Sequence, residues 1–153
     1  MMKIKNSWIK FLATGFYSGL SPVAPGTAGT LLGVVLLYLS FKINLISQVD
    51  FPLAFLVVLS SVIIAQLAQE RIYQEKDASE IVIDELAGYC LAMYLLPINM
   101  LIPAFVLFRI FDILKPQPID KLEQFRGGLG VVMDDLGAGA ITAVLLHFIL
   151  LFV

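Results

Sequence analysis

Apolar stretches of bilayer-crossing length follow one another along most of the chain, and that succession constrains the fold more than any other feature. A hydrocarbon core of about 30 Å takes about 20 helical residues to cross. Five candidate spans run from about Thr27 to Ile43, Phe51 to Ala68, Ile81 to Leu96, Pro97 to Leu114 and Leu129 to Val153. Hydrophobic residues make up 59% of the 153 and charged residues only 14%, against roughly 45–50% and about 25% in soluble domains. A ball of this size cannot hide so much apolar surface from water, so the membrane is an expected partner and a nucleic acid is not. The expected architecture is all-α, a polytopic membrane helical bundle of about four to five spans forming one domain over residues 1–153. The fourth span is either a full crossing or re-entrant. Ahead of the spans, Ser7 to Tyr17 places Trp8, Leu12 and Phe16 on one helical face, with Lys3, Lys5 and Lys10 nearby. That segment reads as an N-terminal interfacial helix or as a short ordinary one. No cleavable signal pattern precedes the spans, so the first is expected to be retained.

Counting crossings divides the charges. With the N-terminus inside, Lys3, Lys5, Lys10, Arg71, Lys76, Arg109, Lys115, Lys121 and Arg126 all fall on the starting side, and Lys42 falls opposite. Among the acids, Asp50 alone lies outside. The positive-inside rule then makes the starting side cytoplasmic. Three spans carry charge near that side: span three begins with Asp84 and Glu85, span four ends with Arg109, Asp112 and Lys115, and span five begins near Asp134 and Asp135. The purely apolar part of span three, Leu86 to Ile98, would reach only about 20 Å. Charges held at that depth cost roughly 2.5–3.5 kcal/mol each on insertion scales, so they need partners. The topology brings all three clusters to one face.

Four motifs carry the chemistry. The loop from Ser18 to Thr30 sets glycines and hydroxyls ahead of a helix, which exposes N–H groups and a positive dipole end to a phosphate. Its glycines also repeat at fours, Gly15 with Gly19 and Gly29 with Gly33, the spacing that lets membrane helices pack closely. The adjacent carboxylates of Asp84 and Glu85 point about 100° apart on a helix, so one can reach a metal while the other reaches a basic group or water. Arg109, Asp112 and Lys115 stand three apart on one helical stripe. Arg and Lys there suit phosphate oxygens, and Asp112 is their neutralising partner or a metal ligand. Asp134 and Asp135 follow Gly127, Gly128 and Gly130 and precede Gly137 and Gly139, as carboxylates held against another helix would. Hard oxygen ligands of this kind suit Mg²⁺.

Other phosphatase chemistries drop out. His147, the single histidine, lies near the far end of span five, and Cys90 sits in an apolar run with no arginine at loop spacing. Metal-assisted chemistry by carboxylates remains, with basic residues on the phosphate. In order, the segments GFYSGLSPVAPGTAGT, IVIDE, FRIFDILKPQPI and GGLGVVMDD resemble the phosphatidylglycerophosphatase A family over nearly the whole chain from Gly15 onward. The resemblance implies Mg²⁺-dependent hydrolysis of phosphatidylglycerophosphate to phosphatidylglycerol in a bacterial inner membrane, with the site on the cytoplasmic side. It implies catalytic roles for Asp84, Glu85, Asp112, Asp134 and Asp135. Of these, Glu85, Asp112, Asp134 and Asp135 would be the metal ligands, while Arg109, Lys115, Ser21, Gly26, Thr27 and Thr30 hold the phosphate. Asp77 matches a further family acid. A phosphatase of another lipid or isoprenoid phosphate is the nearest alternative. A cation or proton transporter would instead spread its carboxylates through the membrane depth.

Overall fold

The computed structural model of the chain describes residues 2–74, 78–117, 119 and 127–152, with side chains described from residue 6. Lys3 and Lys5 side chains, Lys76, Asp77, Lys121 and Arg126 lie outside that description. The described residues form six α-helices and no named strand: α1 (Met2–Ala13), α2 (Pro25–Lys42), α3 (Phe51–Ala68), α4 (Ile83–Ala92), α5 (Leu101–Leu114) and α6 (Gly127–Leu150).

Local chemistry explains most of the boundaries. α1 stops where the Thr14 hydroxyl donates to the Lys10 carbonyl at 2.8 Å, after which Gly15, Phe16 and Tyr17 all turn left-handed. Phe16 therefore leaves the stripe of Trp8 and Leu12 and stacks on Phe11, with ring centroids 4.9 Å apart. Pro25 opens α2, where its fixed φ and missing N–H do no harm. At the start of α3 the Asp50 carboxylate accepts from the Leu53 amide at 3.1 Å, an ordinary N-cap. A π-helical turn over Gln69–Tyr73 extends that helix. α5 ends at Lys115, itself left-handed with φ 41°, just ahead of Pro116.

Among the described residues, three helices are long and apolar enough to cross a membrane: Pro25–Lys42, Phe51–Tyr73 and Gly127–Leu150. The regions expected to give spans three and four form shorter helices, α4 of 10 residues and α5 of 14. Ten residues rise only about 15 Å. Even so, α4 and the turn after it link the two ends of the bundle. The Val82 amide donates to Ala13 at 2.9 Å at one end, and the Leu95 amide donates to Val49, just before α3, at 2.9 Å at the other.

Large apolar side chains cover the outside of the bundle as well as its core. Leu31, Val35 and Leu39 of α2, Phe55 and Ile63 of α3, Ile102 and Ile113 of α5, and Val144 and Phe148 of α6 face outward. Small residues line the contacts, as in membrane bundles where association depends on close packing. A Cβ on Gly88 would come within 2.6 Å of the Asp135 carbonyl oxygen, and one on Gly139 would run into the Gly88 carbonyl. This crossing presses α6 onto α4. Tyr89 and Phe108 fill the centre between α4 and α5, and the Tyr89 hydroxyl donates to the Leu101 carbonyl at 2.8 Å.

Candidate active site

The first turns of α2 and α4, the last turn of α5 and a buried stretch of α6 meet at one end of the bundle. Asp84 and Glu85 occupy the first turn of α4, where the helix dipole favours acids. Asp84 is buried, and its carboxylate accepts from the Glu85 amide at 3.0 Å. Asp135, on the face of α6 pressed against Gly88, is also buried. One carboxylate oxygen from each of Asp84, Glu85 and Asp135 lies within 4.8 Å of the others. Asp112 borders Glu85 and Asp135 from α5 and forms an ion pair with Arg109 one turn earlier.

Among the described residues, two buried atoms here have no hydrogen-bond partner, Glu85 Oε2 and Arg109 Nε. Unpaired buried charge is costly, and both atoms belong to groups that bind ligands through their free valences. Three converging carboxylates, one with a free oxygen, fit a hard divalent cation such as Mg²⁺. The free guanidinium edge fits an anion.

The first turn of α2 lies directly over this pair. A Cβ on Gly26 would strike Glu85 Oε1 and stand 3.3 Å from an Arg109 terminal nitrogen. Ala24, which precedes the helix in a left-handed conformation, makes no side-chain cap. The helix thus presents its positive end and uncapped amides to the site, the ready-made receptor for a phosphate.

The expected residues divide clearly. Glu85, Asp112, Asp135, Arg109 and Gly26 converge, and Asp84 contributes an oxygen to the cation-sized group alongside Glu85. Asp134 turns elsewhere: its Oδ2 accepts from Lys115 Nζ at 2.8 Å. Two hydroxyls are engaged within their own segments. Ser21 donates to the Val23 carbonyl at 2.8 Å in an exposed turn, and buried Thr30 donates to the Gly26 carbonyl at 2.9 Å. Thr27 lies half-buried in the first turn of α2. His147 sits three turns beyond Asp135, about 18 Å along the axis, with Nδ1 2.8 Å from the Ala143 carbonyl oxygen. Cys90 is buried.

Gln66 is a residue the sequence reading passed over. From α3 its side-chain oxygen accepts from the Gly128 amide, while its nitrogen donates to Glu70. It ties the start of α6 to α3, two turns before Asp134 and Asp135. The available signal was an amide inside an otherwise apolar stretch.

Residues 11–150 match the phosphatidylglycerophosphatase A family. The chain is 40% identical over 142 residues to a Bacteroides thetaiotaomicron protein with the provisional name phosphatidylinositol-3-phosphatase, covering 88% of this chain and 89% of that one. It is 36% identical over 155 residues to the phosphatidylglycerophosphatase A of Escherichia coli, covering 97% and 86%. The phosphatidylglycerophosphatase A of Haemophilus influenzae is 40% identical over 151 residues, covering 92% and 86%. No solved structure matches the chain. A match of this extent, on a chain whose acids and Arg109 gather at one end of an apolar bundle, makes it a phosphoric monoester hydrolase and a member of the phosphatidylglycerophosphatase A family.

Proposed function

We propose that the chain hydrolyses the phosphomonoester of phosphatidylglycerophosphate to phosphatidylglycerol and phosphate, with Mg²⁺, as a step of phospholipid biosynthesis. The bacterial inner membrane is its place, and the acidic end faces the cytoplasm. The observation that carries this reading is the meeting of Asp84, Glu85 and Asp135 with Arg109 beneath the uncapped start of α2. Acids alone would repel a phosphomonoester dianion. Here a guanidinium and a helix N-terminus stand beside them.

Asp84, Glu85 and Asp135 would hold the cation, with Asp112 at its edge. When bound, Mg²⁺ offsets charge on phosphoryl oxygens as a Lewis acid. Arg109 is kept in place by Asp112 and offers its free edge to the same oxygens. As charge spreads over them in the transition state, a planar donor fork can follow it. The first amides of α2 bind from the other side, and Gly26 keeps that approach open. The apolar outer faces of α2, α3, α5 and α6 keep the chain in the bilayer, where a lipid substrate presents its head group at the bundle end.

The Bacteroides thetaiotaomicron relative favours a second reading, a phosphoinositide 3-phosphate as substrate. The described acids and Arg109 would engage the phosphoryl group in either case. Purified protein should be assayed for phosphate release from phosphatidylglycerophosphate, phosphatidylinositol 3-phosphate, phosphatidic acid and an isoprenoid phosphate, each with and without EDTA. Preferred release from phosphatidylglycerophosphate, abolished by EDTA and restored by Mg²⁺, is expected. Preference for another lipid overturns the substrate, and full activity in thoroughly chelated protein overturns the cation.

A further inference from the structure

We propose that Asp134 is a positioning residue: its carboxylate holds the Lys115 ammonium at the edge of the Asp84–Glu85–Asp135 group and is not a ligand of the cation. Neighbouring residues on a helix diverge by about 100°. Asp135 points at α4 and joins Asp84 and Glu85. Asp134 therefore points toward the end of α5, where its Oδ2 meets Lys115 Nζ at 2.8 Å.

The backbone at Lys115 supports a directed contact. With φ 41° and its amide bonded to the Phe111 carbonyl at 2.9 Å, Lys115 closes α5 in a left-handed cap. Glycine or asparagine is the usual occupant, because a Cβ is strained there. A lysine in this conformation departs from the stripe of Arg109 and Asp112 and reaches α6. Its side chain is 32% exposed against 11% for Asp134, so the carboxylate is the more buried partner of the pair. The result is two ion pairs flanking the group, Arg109 with Asp112 and Lys115 with Asp134. Among the described residues Asp84, Glu85 and Asp135 form no ion pair, although Arg109 stands close to Glu85.

What Lys115 faces rests on the phosphatase reading above; the exclusion of Asp134 from the cation group does not. The test therefore has two arms on the purified full chain in detergent. The first measures Mn²⁺ binding by electron paramagnetic resonance, without lipid. Asp134→Asn should bind within about twofold of the wild type, whereas Asp135→Asn should bind at least about tenfold more weakly. The second measures steady-state kinetics. Asp134→Asn should lose about tenfold in kcat/KM, mostly through KM, the scale of one lost hydrogen bond to a charged group. In a Lys115→Met background the same change should add nothing further.

Mn²⁺ binding weakened in Asp134→Asn as much as in Asp135→Asn would make Asp134 a ligand and end the proposal. Additive losses in the double variant would end it as well. If Asp134→Asn unfolds, Lys115→Met leaves every carboxylate in place and should show the KM defect without weaker Mn²⁺ binding; a pure kcat defect there counts against the pairing role. If the wild type releases phosphate from none of the lipids, the phosphatase reading falls, and the binding arm alone decides whether Asp134 is a ligand.

Discussion

At Gly26 the absence of a side chain determines what its neighbours can do. The position lies in the first turn of α2, and a Cβ there would collide with Glu85 Oε1, the movable tip of a side chain. Alanine favours a helix interior over glycine by up to about 1 kcal/mol. Gly26→Ala should therefore keep or slightly raise the unfolding temperature while it displaces Glu85 from Asp84 and Asp135. A fall in kcat/KM on the order of ten- to a hundredfold is expected from a misplacement of this size. His147→Ala, remote from the acids, and Cys90→Ala, whose thiol lies in the apolar core beyond them on α4, should leave turnover near the wild type. Wild-type kinetics in Gly26→Ala would show that Glu85 has room to move and that the close approach of α2 is unimportant. The glycine's presence in a hydroxyl-rich loop was legible in the sequence. Its specific neighbour was not, because Glu85 lies 59 positions away and meets it only once α2 and α4 have packed.

Among the helices, the crossing of α4 and α6 sets the spacing of the acids. Gly88 and Gly139 allow backbone to touch backbone there, and the carbonyl that a Cβ on Gly139 would meet cannot swing aside. Gly139→Ala should destabilise the bundle by about 1–3 kcal/mol, as overpacking does, and should lower activity by pushing Asp135 away from Glu85. Ala140→Leu, on the exposed face of the same helix, should do neither. Thermal unfolding in one detergent, followed by the phosphate-release assay, makes the comparison; equal stability of the two variants would mean that the crossing has room for a methyl group. The elements also differ in how far the sequence declared them. α3 begins at Phe51 and ends at Ala68 as expected, since Asp50 caps it and an unbroken apolar run sustains it. α4 was expected to reach Leu96 but ends at Ala92. The Met93 amide tightens onto Tyr89 and Cys90, and Leu95 turns left-handed to bond Val49. That pairing comes from another part of the chain, and no local signal announces it.

For the whole molecule, the division of charge between the two ends predicts its orientation. Arg109, Lys115 and the clustered acids lie at the end where α2 begins, while Lys42 closes α2 and Asp50 caps α3 at the other. In a Cys90→Ala background, cysteines placed at Val23 and Leu45, both well exposed at opposite ends of α2, report the sides. A membrane-impermeant maleimide should label Leu45→Cys in intact cells and Val23→Cys only after permeabilisation. The opposite pattern would reverse the orientation and put the acidic end outside. The sequence by itself determined that the chain is helical and apolar enough for a bilayer, and it determined which residues carry charge. Composition and period act locally and need no partner to be read. The Arg109–Asp112 pair, one turn along α5, was open to the sequence, but only the tertiary structure joined Asp84 and Glu85 with Asp135 and Lys115 with Asp134. On one stripe of α5 the sequence could place Arg109, Asp112 and Lys115 together. The left-handed close of that helix, and the depth to which Gly88 and Gly139 let α6 approach, assigned each its partner.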